Sequence, residues 1–216
     1  MSGVAFKDCK KEDIQSEKKG VLVYLAGDSY WVGDQIENKL ARHLANDFGM
    51  NFFSQNEFLE NDPSTPMELG KVSSVDERLE QLINKLDGFS TPVVLIGRSS
   101  GARVASLCAV NSKKVAAVIG LAYPFKHPNK PVEIERYKHL ESTTVPTLIV
   151  QGVRDEYGGL VAIQNNRFSS FVDFFYINAL HSTNLNEKTL NLVRMRIKRF
   201  ILQAMDSKSR KSLEMY

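Results

Sequence analysis

Cysteine is nearly missing from this chain. Only Cys9 and Cys108 occur, with no metal-ligand spacing around either. That excludes a disulfide-built scaffold and a cysteine-based zinc module, and points to a reducing, cytoplasmic setting. Long apolar runs are missing too, since none approaches the roughly 18 residues a membrane helix needs. The first twenty residues, MSGVAFKDCKKEDIQSEKKG, are charged and lack the apolar core of a secretion signal. No membrane partner is therefore expected. Charge of one sign is also scarce: 28 Lys and Arg face 25 Asp and Glu, a net +3. Much of that excess lies near the C-terminus, at Lys198, Arg199, Lys208, Arg210 and Lys211. With no interleaving of aromatic and basic residues, it reads as a solvated helix face and tail, and no nucleic-acid partner is expected.

What is present is ordinary for a globular protein: 43% hydrophobic and 25% charged residues over 216 positions, enough for one domain with a sizeable core. The chain divides into a polar N-terminal segment (1–20), a folded domain (21–205) and a flexible basic tail (206–216). Within the domain, compact apolar runs alternate with helical patterns. VLVYLA (21–26), MNFFS (50–54), VVLIG (93–97), VAAVIGLAY (115–123), TLIVQG (147–152) and VDFFYI (172–177) read as strands. Between them, 34–48 carries Ile36, Leu40, Leu44 and Phe48 on one face and stops at Gly49. Residues 73–86 open with Ser74 and Glu77, a capping box, and carry a Val75, Leu79, Leu82 and Leu86 stripe. Residues 55–72, with Pro63 and Pro66, read as a loop. Further helices are expected at 99–110 and 186–205, with weak ones at 133–142 and between the last two strands. This alternation predicts an α/β fold with a mostly parallel sheet and helices on both faces. In such sheets, functional loops lie at the carboxyl ends of the strands.

One such end reads Gly97-Arg98-Ser99-Ser100-Gly101, a G-x-S-x-G pattern. Three fixed positions at about 7% usage each recur by chance in roughly 7% of chains this long, so the pattern alone is weak. Its context is stronger, because an apolar strand ends and a helix begins there, as a nucleophile elbow requires. The alternative is a helix N-terminus with serine caps and a bound anion. A P-loop or dinucleotide fingerprint does not fit, because the lysine and the third glycine are missing. A nucleophilic serine needs a base and an orienting acid, and in this architecture they follow in the order serine, acid, histidine. Asp155 follows the strand TLIVQG, with Glu156 as the nearest rival acid, and His181 follows the strand VDFFYI. The other histidines lie in a helix (His43), a proline-rich loop (His127) and a weak helix (His139). The backbone N–H of Ser100 is placed to face an oxyanion.

GRSSGARVA, LAYPFKHPNKP, VPTLIVQGVRDEYGG and the late histidine loop resemble the small α/β-hydrolase-fold family related to dienelactone hydrolases. That family includes testis-expressed and NSL-complex-subunit hydrolase-like proteins. The resemblance runs from Val21 to Met205 and is strongest over 93–155. It implies an α/β-hydrolase fold of about six or seven strands without a large cap domain, a Ser99–Asp155–His181 triad, and an ester-like small-molecule substrate, either a carboxylester or a thioester. It implies no metal and no organic cofactor. Members usually carry a His-Gly-x-Gly-type loop after the first core strand; here that place reads YLAGDSYWVGD. Backbone N–H groups at Gly27 or Asp28 would supply the second half of an oxyanion hole. Tyr30, Trp31 and Tyr123 are candidates to line the substrate pocket. The altered loop keeps a second class open: a hydrolase-fold binding or scaffold protein whose triad is weak or inactive.

Overall fold

The run VLVYL forms β1 (Val21–Leu25), and every residue of it is buried. A strand apolar on both faces belongs inside a sheet covered on both sides. The chain then enters α1 (Ile36–Phe48), stops at Gly49 in the left-handed region (φ 63°), and returns as β2 (Asn51–Phe53). After α2 (Gln55–Leu59) and α3 (Val75–Leu86), the alternation continues. It runs through β3 (Val93–Arg98), α4 (Ser100–Asn111), β4 (Val115–Leu121), β5 (Thr147–Gly152), α5 (Leu160–Gln164), β6 (Val172–Ile177) and α6 (Glu187–Leu213). The computed structural model describes residues 19–28, 36–59, 74–131, 133–164, 166–181 and 185–213.

The six strands form one sheet in the order β2-β1-β3-β4-β5-β6, and each neighbouring pair is parallel. Parallel pairing puts all carboxyl ends on one edge. The register aligns Gly97 of β3 with Leu25 of β1 and with Gly120 of β4. Helices α1 and α6 cover one face, packing Leu40, Leu44, Val193 and Ile197 on Leu22, Ile96 and Ile119. Helices α2, α3 and α4 cover the other, packing Phe58, Leu82 and Val104 on Val23, Leu95 and Val118. Each such side chain stabilises the fold by about 1.5–3 kcal/mol when fully buried.

Three local expectations change. The stretch at 55–72 begins as a helix rather than a loop. Ser54 and Glu57 form a capping box, in which the Ser54 N–H donates to Glu57 Oε2 (2.7 Å) and the Glu57 N–H donates to Ser54 Oγ (3.4 Å). Phe58 and Leu59, both 4% exposed, then anchor that short helix in the core. The weak helix at 133–142 is instead two 3₁₀ turns, Ile134–Arg136 and Lys138–Glu141. The tail expected from 206 is helical as far as Leu213, because no Gly or Pro interrupts α6. Among the described residues, no helix is long and apolar enough to cross a membrane.

Candidate active site

At the carboxyl edge, β3 turns into α4 through Ser99, whose φ is 51° and ψ −122°. A non-glycine residue held there is strained and persists only when its surroundings fix it. They do so tightly. A Cβ on Gly97 would lie 2.3 Å from the Gly101 carbonyl oxygen, and one on Gly101 would lie 2.3 Å from the Leu25 oxygen. Both glycines are therefore required for α4 to start directly against β1 and β3. The Ser99 N–H donates to the Leu121 carbonyl of β4 (2.9 Å), which pins the turn from the other side.

The loop after β6 brings His181 over this turn. Ser99 Oγ lies 2.9 Å from His181 Nε2, and His181 Nδ1 lies 3.0 and 3.1 Å from the two Asp155 oxygens. A carboxylate only accepts, so the Nδ1 proton points at Asp155, and Nε2 keeps a lone pair for the serine hydroxyl. Asp155 has no exposed side-chain surface. It is satisfied by Gln151 Nε2 (3.0 Å) and by the Tyr157 N–H (2.8 Å). The Tyr157 ring lies tilted against the imidazole, with centroids 4.2 Å apart. Glu156, the rival acid, accepts from the His181 backbone N–H (3.2 Å) rather than from its ring. Backbone hydrogen bonds hold its carboxyl below the usual range. Arg98 braces the same loop: it donates to the His181 carbonyl (2.9 Å) and to Glu37 of α1 (3.0 Å).

The loop after β1 approaches from the opposite side. A Cβ on Gly27 would lie 3.1 Å from Ser99 Cβ, so this backbone runs against the serine. Ser100 Oγ donates to Asp28 Oδ1 at 2.5 Å. Of the expected residues, Ser99, Asp155, His181, Ser100, Gly27 and Asp28 therefore converge at one place. Tyr123 does not. It is fully buried, donates to the Arg136 carbonyl (2.8 Å) and packs on Phe125, so it is a core residue rather than a pocket wall. Tyr30 and Trp31 lie outside the described residues. A cavity of about 50 Å³ borders His181, lined by Ile36, Leu40, Leu121 and Leu185 together with the charged Glu37 and Arg98. A larger one, about 650 Å³, lies beyond the acid loop against Phe125, Ile134, Tyr137 and Leu160. Among the described residues, no three His, Cys, Asp or Glu side chains converge as a metal site would require.

Sequence reasoning missed three supporting residues. Arg78 interrupts the buried stripe of α3, three residues after Val75 and four before Leu82, and that mismatch was its signal. Gln151 is a lone amide closing an apolar strand, and it is fully buried. Gln55 accepts from the Ala26 N–H (3.0 Å) inside the core.

Comparison with known proteins bears on this geometry. The profile of the alpha/beta hydrolase domain family matches residues 33–205. The chain belongs to the alpha/beta hydrolase family. Among solved structures, this hydrolase is similar to a monoacylglycerol lipase from Paleococcus ferrophilus (TM-score 0.67, 12% identity, covering 87% of this chain and 95% of that one). It is also similar to an esterase from Pyrococcus furiosus (TM-score 0.65, 16% identity, 87% and 83% covered). A third is an alpha-beta serine hydrolase homologue from Coxiella burnetii (TM-score 0.61, 22% identity, 85% of each). At such identities the likeness establishes the fold alone. Comparison of the sequence with curated proteins finds no match.

Proposed function

We propose that this alpha/beta hydrolase is a serine hydrolase that cleaves a carboxylester or thioester of a small molecule. Ser99 Oγ attacks the carbonyl carbon while His181 Nε2 takes its proton. Asp155 orients the imidazole and stabilises its charged form. The oxyanion forms against the N–H of Ser100 and an N–H at Gly27 or Asp28. Collapse expels the alcohol or thiol, which receives the proton from His181 and leaves Ser99 acylated. Water, deprotonated by His181, then releases the acid and restores the serine. The steps balance with water alone. The observation that supports this reading most is the unbroken chain from Ser99 Oγ to His181 Nε2 (2.9 Å) and from Nδ1 to Asp155 (3.0 Å). The motifs GRSSGARVA and QGVRDEYGG favour the branch related to dienelactone hydrolases, and the buried free thiol of Cys108 suits a cytoplasmic setting.

Ser99→Ala is expected to lower p-nitrophenyl acetate hydrolysis by at least ~10³-fold while the protein stays folded. A fluorophosphonate probe is expected to label the native protein at Ser99. Activity that survives the substitution would overturn the assignment. A native protein that neither hydrolyses esters nor takes the probe would instead be a hydrolase-fold binding protein.

A further inference from the structure

The two proposed arms of the oxyanion hole come from distant parts of the chain, the loop after β1 and the first turn of α4. They meet on a third element. Arg78 of α3 is 2% exposed, among the largest fully buried side chains in the molecule. One guanidinium nitrogen donates to the Ala26 carbonyl (2.9 Å). The other donates both to Asp28 Oδ1 (3.0 Å) and to Ser100 Oγ (2.9 Å). Ser100 Oγ in turn donates to Asp28 Oδ1, which closes a triangle of side chains. With Gln55 holding the Ala26 N–H, both polar groups of the residue before Gly27 are fixed.

A buried guanidinium is expensive unless it is paired, and replacing such a group by apolar residues is often neutral or stabilising. Stability alone therefore does not explain an arginine on an otherwise apolar stripe. Its bonds do one geometric thing, which is to lock the backbone at 26–28 against the residue that follows the nucleophile. An oxyanion hole works because its donors are already in place when charge develops. We propose that Arg78 is a positioning residue, whose guanidinium sets the spacing of the two oxyanion-hole arms by joining Ser100 to Ala26 and Asp28. This rests on the acyl-transfer reading of Ser99.

The test compares wild type, Arg78→Met, Arg78→Lys and Asp28→Ala. Each is measured for p-nitrophenyl acetate kinetics, inhibition by phenylboronic acid, and folding by circular dichroism. Boronic acid becomes a tetrahedral anion on the serine, so it reports the hole rather than substrate binding. Arg78→Met is expected to lower kcat by about 10–100-fold, less than the 10²–10³ lost with a donor itself. KM should change less than about 3-fold, and the boronate inhibition constant should rise in step with the fall in kcat. Arg78→Lys should recover part of the loss. A folded Arg78→Met with kcat within about 2-fold of wild type, or with its loss confined to KM, overturns the proposal. If Arg78→Met does not fold, Asp28→Ala decides. Its side chain is mostly exposed, and although its loss removes the counter-charge of Arg78, the Ala26 carbonyl and Ser100 Oγ still accept from the guanidinium, so the variant should be destabilised but folded. A drop in kcat at constant KM then supports the proposal, and unchanged kinetics overturn it. Failure of the acyl-transfer reading would look different, because wild type itself would then be inert to ester and probe.

Discussion

Among the described residues, two serines hydrogen-bond a histidine Nε2, and only one of them is built like a nucleophile. Ser99 meets His181 at 2.9 Å, and Ser106, further along the same helix, meets His139 at 2.8 Å. Distance does not separate the pairs; their surroundings do. His181 has a carboxylate on Nδ1, so Nε2 is the basic nitrogen. At the second pair no carboxylate faces Nδ1, and the single Ser106 proton has three acceptors around it, the Arg103 carbonyl (3.0 Å), Tyr123 Oη (3.2 Å) and His139 Nε2. No described residue fixes the tautomer of that ring or orients it as a base for the serine. His139 Nδ1 is buried and has no hydrogen-bond partner among the described residues. Burial first, and then the nearby charge of Arg103, push its pKa down to about 4. Ser106 sits mid-helix and 2% exposed, whereas Ser99 is held at positive φ on the open edge of the sheet. A serine–histidine contact is therefore common chemistry. A carboxylate on the far nitrogen, strain and access make it a candidate site.

The sharpest way to break the contrast is to turn the first pair into the second. Asp155→Asn keeps the shape of the acid but gives Nδ1 an uncharged neighbour that can donate, favouring the wrong tautomer. The expected loss in kcat is about 10³–10⁴-fold, measured on p-nitrophenyl acetate, with a stability cost of about 1–3 kcal/mol because the new NH2 must face either the Gln151 or the Tyr157 donor. Retention of a tenth or more of the activity would mean that the carboxylate does not set the base.

The second pair should instead show itself in stability. The folded pKa of His139 lies below the 6.5 of an exposed histidine, so the unfolded chain binds more protons between those values. Stability is therefore intact above pH 6.5 and falls as pH drops toward 4. The expected loss is about 3 kcal/mol. Urea denaturation at several pH values should show this slope in wild type and a shallower one in His139→Gln. Equal slopes would place the acid sensitivity elsewhere.

How far the sequence carried the fold and site follows from the same contrast. The six strands and the helices α1, α3 and α4 were legible because burial on a sheet demands apolar runs and helical stripes at fixed periods. The order Ser99, Asp155, His181 was legible because parallel strands deliver their carboxyl-end loops to one edge. What was not legible depends on contacts between distant residues. Gln151 and Tyr157 are needed only because Asp155 is buried, and nothing local announces that. Tyr123, a candidate pocket wall in the sequence, is buried in the core. Its hydroxyl finds Arg136, and burial pushes its pKa up. The short helix α2 was missed because its capping box, Ser54 to Glu57, stands in a polar stretch with only Phe58 and Leu59 to signal burial.

The smallest effect should come from Ser106→Ala. The substitution removes a hydroxyl two turns, or about 10 Å, further along α4 from Ser99. It leaves His139 Nε2 without its hydrogen-bond partner in a buried place, which alone costs about 1–3 kcal/mol. Tyr123 keeps its bond to the Arg136 carbonyl, so only one group is orphaned. Alanine also favours a helix interior over serine by roughly half a kcal/mol, which offsets part of that loss. A net destabilisation of about 1 kcal/mol by urea denaturation is expected, with ester hydrolysis within about 2-fold of wild type. A folded Ser106→Ala protein that lost activity 100-fold would show that the buried pair supports the elbow, and the two serine–histidine contacts would no longer be independent.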